Sequence, residues 1–188
     1  MDKHIHHHYE PNRHTFLNEF AIPTQEAIQR SGDMQFDNET LRIFVDASEL
    51  YGHGIFGLAG CFVGQGQVFT ESKKIYNLKY KRQNAYAEYM VILYVIQRLP
   101  GIIRKKYVKP DRIFIFSDFI QFEKLIQTDQ PFHDEEMNQV VAQIKISKQK
   151  FESLYPNIKL DIRIMSHSLK RNNPFYKAAH NAARKATH

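Results

Sequence analysis

The sequence predicts an α/β domain built on a mixed five-stranded sheet, with helices flanking the sheet. Three β-rich segments, LRIFVDAS, GIFGLAGCFVG and QVFTESKKIY, follow one another with no helix between them. Later segments alternate between helical and strand patterns. One of these segments, RIFIFSD, is apolar almost throughout, as parallel strands covered on both faces are. This order favours three antiparallel strands followed by helix-linked parallel strands.

Length and composition indicate one packed domain with an extension. The chain has 188 residues, of which 43% are hydrophobic and 13% aromatic, enough for a sizeable core. We expect an N-terminal extension over residues 1–40, partly disordered or helical, and a main domain over residues 41–188. Four histidines near the start are interpreted as a tag-like or disordered terminus rather than a metal site: His4, His6, His7 and His8.

Three features are typical of a cytoplasmic protein. No apolar run reaches the roughly 18 to 20 residues that a membrane span needs. The first residues lack the apolar stretch of a secretory signal. Cys61 is the only cysteine, which excludes an intramolecular disulfide and a cysteine-based zinc site. We expect a monomer in the reducing cytoplasm, with no membrane partner.

Positive charge is concentrated in two zones of the chain. The net charge is +6, and residues 71–109 carry ten Lys or Arg against two acidic residues. After Asp161 there are six Lys or Arg and no further acidic residue. Two basic zones on one domain favour a polyanionic partner such as DNA or RNA. An ordinary solvated basic surface is the alternative.

The first elements of the domain can be assigned in order. Residues 14–30 are expected to form a helix, and SGDMQFDNET a linker. The LRIFVDAS strand is expected to end at Asp46, and the run from Gly64 to Gly66 predicts a hairpin turn. The apolar residues of the first helix that are available to dock on the main domain are Phe16, Phe20, Ile22 and Ile28.

The helix QNAYAEYMVILYVIQRL places a carboxylate on its apolar face. It is expected to end at Pro100-Gly101. Glu88 occupies the first position of the apolar spacing 0, 3, 4, 7 and 11, which continues with Val91, Ile92, Val95 and Leu99. A charge on the face that contacts the sheet is costly unless another group satisfies it.

Four elements complete the chain. FIQFEKLIQ predicts a short helix, and residues 134–154 predict a longer helix closed by Pro156. KLDIRIM alternates apolar and charged residues and predicts a strand with one wet face. Pro174 opens an alanine-rich final helix.

Three carboxylates stand out by position: Asp46, Glu88 and Asp118. If the first and fourth strands are parallel neighbours, Asp46 and Asp118 emerge at the same edge of the sheet, and Glu88 can point there from its helix. Three carboxylates close together raise one another's pKa values unless a cation lies between them. A hard divalent cation, Mg²⁺ or Mn²⁺, meets this need with oxygen ligands. Each acid alone could instead be a capping or surface residue.

The sequence resembles ribonuclease H over about residues 41–186. The matching motifs are FVDAS, a Gly-containing hairpin, NAYAEYMVIL, IFSD and a basic, alanine-rich last helix. The resemblance implies a ribonuclease H-like fold and a two-metal mechanism that hydrolyses the RNA strand of RNA–DNA hybrids with two Mg²⁺ or Mn²⁺ ions. That family uses an Asp, Glu, Asp, Asp set, whose first three members match Asp46, Glu88 and Asp118.

The fourth catalytic position departs from the family pattern, because His180 lies where an Asp is expected. A neutral imidazole can bind a divalent metal, and the loss of one oxygen ligand favours Mn²⁺ over Mg²⁺. The alternative is that His180 only packs or faces solvent. His167 lies where the family has a loop histidine that assists proton transfer or product release. An exposed histidine without a role is the alternative there.

The resemblance also implies substrate contacts around the carboxylates. Residues after the first Asp and before the helix Glu touch the hybrid in the family, and a basic cluster follows the helix. A solvated run of charge is the alternative for this cluster. The residues carried over to nucleic-acid binding are Ser48, Gly52, Gln83, Asn84, Lys105 and Lys106.

Two other functions remain open at the level of sequence. A catalytically weak or inactive module of the same fold could bind nucleic acid or a protein partner, and loss of the fourth carboxylate is how such a module could arise. A related nuclease or recombinase with another substrate is the second alternative. The sequence contains no phosphate-binding loop motif and no nucleophile-elbow motif. Cys61, in an apolar strand, is interpreted as a buried structural thiol.

Overall fold

The computed structural model describes residues 24–106, 108–120, 122 and 132–188, and within these residues five strands form one mixed sheet. The spatial order is β3-β2-β1-β4-β5, with β1, β2 and β3 antiparallel and with β4 and β5 added in parallel. This confirms the predicted mixed sheet. The strands are β1 Thr40–Leu50, β2 Ile55–Gly64, β3 Gln67–Tyr76, β4 Arg112–Ser117 and β5 Lys159–Ile164.

Helices cover both faces of the sheet. The α-helices with described bounds are α1 Gln25–Phe36, α2 Asn84–Lys106, α3 Glu135–Leu154, α4 His167–Lys170 and α5 Pro174–Ala186, and a short 3-10 helix spans Leu78–Tyr80. Helix α2 packs on one face with α3 beside it, and α5 packs on the other face. Alternation along β1 supplies both cores, because Ile43 and Val45 join the core under α2 while Phe44 joins the core under α5.

The predicted hairpin turn is confirmed, but β1 is longer than expected. Gln65 and Gly66 connect β2 to β3 with φ angles of 52° and 75°, as a two-residue type I′ turn requires. Strand β1 continues to Leu50, so the predicted end at Asp46 is wrong. The parallel ladder with β4 stops at Phe44, whereas the antiparallel ladder with β2 extends to Leu50. Asp46 therefore lies just past the parallel pairing and not at the end of the strand.

Helix α2 runs through Pro100 and Gly101 to Lys106, so its predicted end at Pro100-Gly101 is wrong. A proline inside a helix removes one backbone hydrogen bond and crowds the preceding turn. Ile102 lies three residues after Leu99, and both side chains are buried, which continues the apolar face for another turn. Burial of this turn outweighs the local preference of the proline.

Helix α1 includes SGDMQF, so the linker predicted over SGDMQFDNET is mostly helical. The helix is attached to the sheet, since the backbone N–H of Gly66 donates to the carbonyl of Gln35 at 2.8 Å. Ala27 is buried and Met34 packs into the core under α5, whereas Ile28 is 53% exposed and does not dock. Residues 14–23 of the predicted helix, the histidines of the N-terminus and most of FIQFEKLIQ lie outside the described residues.

Gly57 of β2 lets α5 lie directly against the sheet. A Cβ atom at this position would lie 1.9 Å from the carbonyl oxygen of Ala183, far inside van der Waals contact with helix backbone. Backbone cannot yield as the end of a flexible side chain can, so any larger residue must push α5 outward.

We expect Gly57→Ala to lower the free energy of unfolding by about 2–3 kcal/mol, because the new methyl group collides with α5. Gly32→Ala is the matched control, since a Cβ at Gly32 in α1 meets no atom within 4 Å. That control should leave stability unchanged or raise it by about 0.5–1 kcal/mol through helix propensity. Urea denaturation measures both, and equal stability of Gly57→Ala and wild type would show that α5 does not need this approach.

Candidate active site

The register between β1 and β4 places Asp46 and Asp118 side by side. Phe44 pairs with Phe116 at the end of the parallel ladder, and their rings stack with centroids 5.3 Å apart. Each aspartate lies two residues beyond its phenylalanine. Since side chains in extended backbone return to the same face every second residue, both carboxylates lie on the face that α5 covers.

The hydroxyl of Tyr176 lies between these two carboxylates. It lies 3.1 Å from Oδ1 of Asp46 and 2.9 Å from Oδ2 of Asp118. The two carboxylates are therefore no farther apart than two hydrogen bonds laid end to end. Burial, and then the charges of the two aspartates, raise the pKa of Tyr176 well above its ordinary value, so the hydroxyl keeps its proton.

Two nitrogen groups bind the remaining sides of the pair. Nδ1 of His180 lies 3.1 Å from Oδ2 of Asp46. The Nζ atom of Lys170 donates to Oδ2 of Asp118 at 2.7 Å. His180 and Tyr176 lie one helical turn apart on α5, so that a single helix face contributes both side chains.

Asn173 holds Lys170 and Tyr176 in place from the turn between α4 and α5. Its side chain is 5% exposed and caps α5, with Oδ1 accepting from the backbone N–H groups of Phe175 and Tyr176 at 3.0 and 3.1 Å. Its Nδ2 donates to the carbonyl of Leu169 at 3.0 Å. The Asn173 side chain therefore links α5, which carries Tyr176, to α4, which carries Lys170.

Glu88 completes the cluster from α2 on the other side. Its Oε2 atom is buried and has no hydrogen-bond partner within the described part of the chain. Burial raises the pKa of Glu88 well above its ordinary value, the charges of Asp46 and Asp118 raise it further, and Lys170 opposes them. Burial likewise raises the pKa of Asp46, against the lowering effect of His180 and Tyr176.

The donor atoms of this cluster fit a divalent cation by chemistry, although not as they now lie. Among residues 24–106, 108–120, 122 and 132–188, no three His, Cys, Asp or Glu side chains are arranged to hold a metal ion. Lys170 and Tyr176 contact the carboxylates instead. Even so, the unpartnered Oε2 of Glu88 lies near two other carboxylates, and hard oxygen donors are those that Mg²⁺ and Mn²⁺ prefer. A cation shared by these acids requires movement of Lys170 or Tyr176.

The structure brings together four of the five predicted catalytic residues: Asp46, Glu88, Asp118 and His180. The fifth, His167, is the first residue of α4, and its side chain is exposed. In the described part of the chain it makes no hydrogen bond or ion pair with the three carboxylates. Its role in proton transfer stays a prediction.

The predicted nucleic-acid contacts fall into two groups. Ser48 and Gly52 follow Asp46 in β1 and its turn, and Gln83 and Asn84 lie at the start of α2, one turn before Glu88. These four residues are near the carboxylates along the chain. Lys105 and Lys106 end α2, about 25 Å along the helix from Glu88 at 1.5 Å per residue.

Sequence reasoning missed Tyr176 and Lys170. The position of Tyr176 was accessible, because a residue four before His180 must share its helix face. No spacing signal marks Lys170, which reaches Asp118 only through the turn that Asn173 builds.

The fold of this chain matches solved structures, whereas no protein-family model and no curated protein matches the sequence. The chain is similar to ribonuclease H1 from Halobacterium salinarum, with 14% identity, a TM-score of 0.51, and coverage of 77% of this chain and 99% of that one.

Two further structures agree. The N-terminal ribonuclease H domain of a Mycobacterium tuberculosis protein has 12% identity and a TM-score of 0.54, with coverage of 79% of this chain and 96% of that one. LC11 ribonuclease H1, isolated from compost by a metagenomic approach and solved with an RNA/DNA hybrid, has 14% identity and a TM-score of 0.56, with coverage of 79% and 99%. The chain has the ribonuclease H fold.

No helix in the described residues is both long enough and apolar enough to cross a membrane.

We expect ionisation of Glu88 to reduce the stability of the metal-free protein as the pH rises above about 4.3, where an unperturbed glutamate titrates. The raised pKa of Glu88 means that the folded state keeps a proton that the unfolded state releases. Glu88→Gln removes this penalty, so at pH 8 in EDTA it should exceed wild type in free energy of unfolding by about 1 kcal/mol.

Chemical denaturation at pH 4 and pH 8 measures this difference, which should be small at pH 4. Glu39→Gln, which alters an exposed carboxyl just before β1, is the matched control and should follow wild type at both pH values. The same gain for Glu88→Gln at both pH values would mean that ionisation is not its cause.

Proposed function

We propose that this protein is a metal-dependent nuclease that hydrolyses the RNA strand of RNA–DNA hybrids. The observation that carries the proposal is the convergence of three carboxylates from β1, α2 and β4, one of which has a buried oxygen without a partner. Nothing in the packing of the sheet requires three acids to meet, and their mutual repulsion opposes it. The fold is shared with ribonuclease H1 structures, one of which holds an RNA/DNA hybrid.

Asp46, Glu88 and Asp118 would hold the divalent ions, and His180 is the candidate fourth ligand. The chemistry that Mg²⁺ or Mn²⁺ would supply there, when bound, is activation of a water nucleophile and neutralisation of charge on the leaving oxygen. His180 already contacts Asp46 through Nδ1, so it either orients this carboxylate or replaces that contact with a bond to metal. His167, exposed at the start of α4, is free of the core and accessible to a substrate that needs a proton carrier.

The two groups of predicted contacts suit a duplex that lies along α2. The nucleic-acid backbone would then contact, close to the carboxylates, the residues Ser48, Gly52, Gln83 and Asn84. Phosphates about seven base pairs away, at 3.4 Å per base pair, would reach Lys105 and Lys106. The basic zones would contribute attraction to phosphates that weakens as salt rises.

One observation favours a second function, a non-catalytic module that binds nucleic acid. Lys170 forms an ion pair with Asp118, and Tyr176 donates between the two aspartates, so these acids have partners without a metal. With His180 in place of a fourth carboxylate, such a site could keep its structure while catalysing nothing. Cleavage assays separate the two functions.

We expect Asp118→Asn to lower the rate of hybrid cleavage about 10²-fold or more, because even groups that only orient metal ligands contribute 10–100-fold. The assay follows a labelled RNA strand in a hybrid duplex with Mg²⁺ or Mn²⁺. Asp161→Asn is the matched control, since Asp161 is an exposed carboxylate on β5, paired at 3.6 Å with Arg163. Binding of the hybrid without cleavage in either metal would establish the non-catalytic module instead.

We expect His180→Asp to raise the ratio of the rate in Mg²⁺ to the rate in Mn²⁺ about tenfold, because it restores an oxygen donor of the type that Mg²⁺ prefers. Parallel cleavage assays in each metal measure this ratio. His188→Asp adds the same charge at the exposed end of the chain and should leave the ratio unchanged. A ratio that does not move in His180→Asp would remove this histidine from the set of ligands.

A further inference from the structure

Two donors already contact one oxygen of Asp118. The Nζ atom of Lys170 lies 2.7 Å from Oδ2, and the hydroxyl of Tyr176 lies 2.9 Å from the same atom. A carboxylate oxygen has two lone-pair sites. Both sites on this atom are therefore taken, and a cation that binds Oδ2 must displace one of the two donors.

Lys170 is the donor that can leave. Its side chain is 43% exposed, so water can take up the ammonium when it moves. Tyr176 is more constrained, because its helix is capped by the buried Asn173 and its hydroxyl also contacts Asp46. Rotation about the lysine side chain frees one lone-pair site of Oδ2 and leaves the cap of α5 in place.

Several contacts nevertheless fix the position of the segment that carries Lys170. Ser166 caps α4 by accepting from the N–H of Leu169 at 3.2 Å. Arg30 of α1 donates to the carbonyl of Arg171 at 3.2 Å, which attaches the turn to the N-terminal helix. The ammonium also lies 5.1 Å from the ring centroid of Tyr176, where a cation is attracted to the aromatic face. The ion pair between Lys170 and Asp118 is therefore positioned by contacts around it and is not a chance surface contact.

We propose that Lys170 is an internal competitor for the divalent metal: its ammonium occupies the cation position at Oδ2 of Asp118, and metal binds this oxygen by displacing it. This inference rests on the metal site of the proposed function. Lys170 offsets the repulsion among the carboxylates while the ion is absent, and it repels the ion as it enters. Because binding free energies are reciprocal, the ion weakens the lysine contact by the same factor as the lysine weakens metal binding.

Displacement of Lys170 also affects the segment that carries His167. Lys170 is the last residue of the four-residue helix α4, and His167 is its first. Metal binding therefore releases the one described side-chain contact by which α4 is attached to Asp118.

Calorimetric titration of EDTA-treated full-length protein with Mn²⁺ tests the competition. Lys170→Met keeps an unbranched side chain, one atom shorter, and removes its charge. Removal of one nearby positive charge should lower the Kd for Mn²⁺ about tenfold. Lys159→Met is the matched control. Lys159 is exposed and lies beside Arg112 in the ladder of β4 and β5, at the end of these strands that is far from Asp118. Its Kd should stay within about twofold of wild type. Asp118→Asn should bind Mn²⁺ more weakly than wild type.

The possible outcomes separate the competition from the metal site itself. If wild type binds Mn²⁺ and Lys170→Met binds it equally or more weakly, the competition is overturned while the metal site stands. If neither protein binds Mn²⁺, both are overturned. A second measurement uses wild type alone, where Mg²⁺ should shift the NMR signals of the Lys170 side chain and leave those of Lys159 in place. Unshifted Lys170 signals at saturating Mg²⁺ would equally overturn the competition.

Discussion

The parallel pairing of β1 with β4 is the constraint on which the rest of the site depends. It aligns Phe44 with Phe116, and two residues later the same alignment sets two aspartates next to each other. The Phe44 ring also stacks on Phe175 of α5, with centroids 6.1 Å apart. Tyr176 follows Phe175 directly, so the apolar stack that anchors α5 also sets the hydroxyl between the aspartates. A shift of one residue in the ladder would turn the carboxylate of the shifted strand to the opposite face and separate the pair.

The electrostatics of the cluster are balanced by groups from distant parts of the chain. Asp118 has the ammonium of Lys170, Asp46 has His180 and both share the proton of Tyr176. Among these three acids of the described chain, Glu88 alone lacks a partner for its buried oxygen, and burial together with the two aspartate charges raises its pKa. These contacts let three acids lie close together in a folded protein. A cation that binds the acids must gain more free energy than the loss of the displaced contacts costs.

Much of the fold was accessible from the sequence, because period and turn chemistry are local. The strands, the hairpin at Gln65-Gly66 and the start of the last helix at Pro174 all follow from patterns a few residues long. The errors arose where tertiary contacts override local preference. Helix α2 passes Pro100 because Ile102 is buried, and β1 passes Asp46 because β2 continues to pair with it.

The candidate site was predictable in part for the same reason. Asp46 and Asp118 could be placed by strand order, and Glu88 by its position on an apolar helix face. Tyr176 was within reach of the helical period once His180 had been placed. Lys170 was not, since its contact with Asp118 spans 52 residues and depends on the geometry of a turn that Asn173 closes. Interactions of this type have no signature in residue spacing.

The order of these parts along the chain has a consequence for biosynthesis. The three acids are made early, by residue 118, whereas Lys170, Tyr176 and His180 all belong to the last two helices. His180 lies 134 residues after the aspartate that it contacts. During translation the nascent chain therefore exposes its acidic groups before the side chains that neutralise them have left the ribosome. Until then the acids lack these three partners, so the cluster cannot reach its folded arrangement before residue 180 has been made.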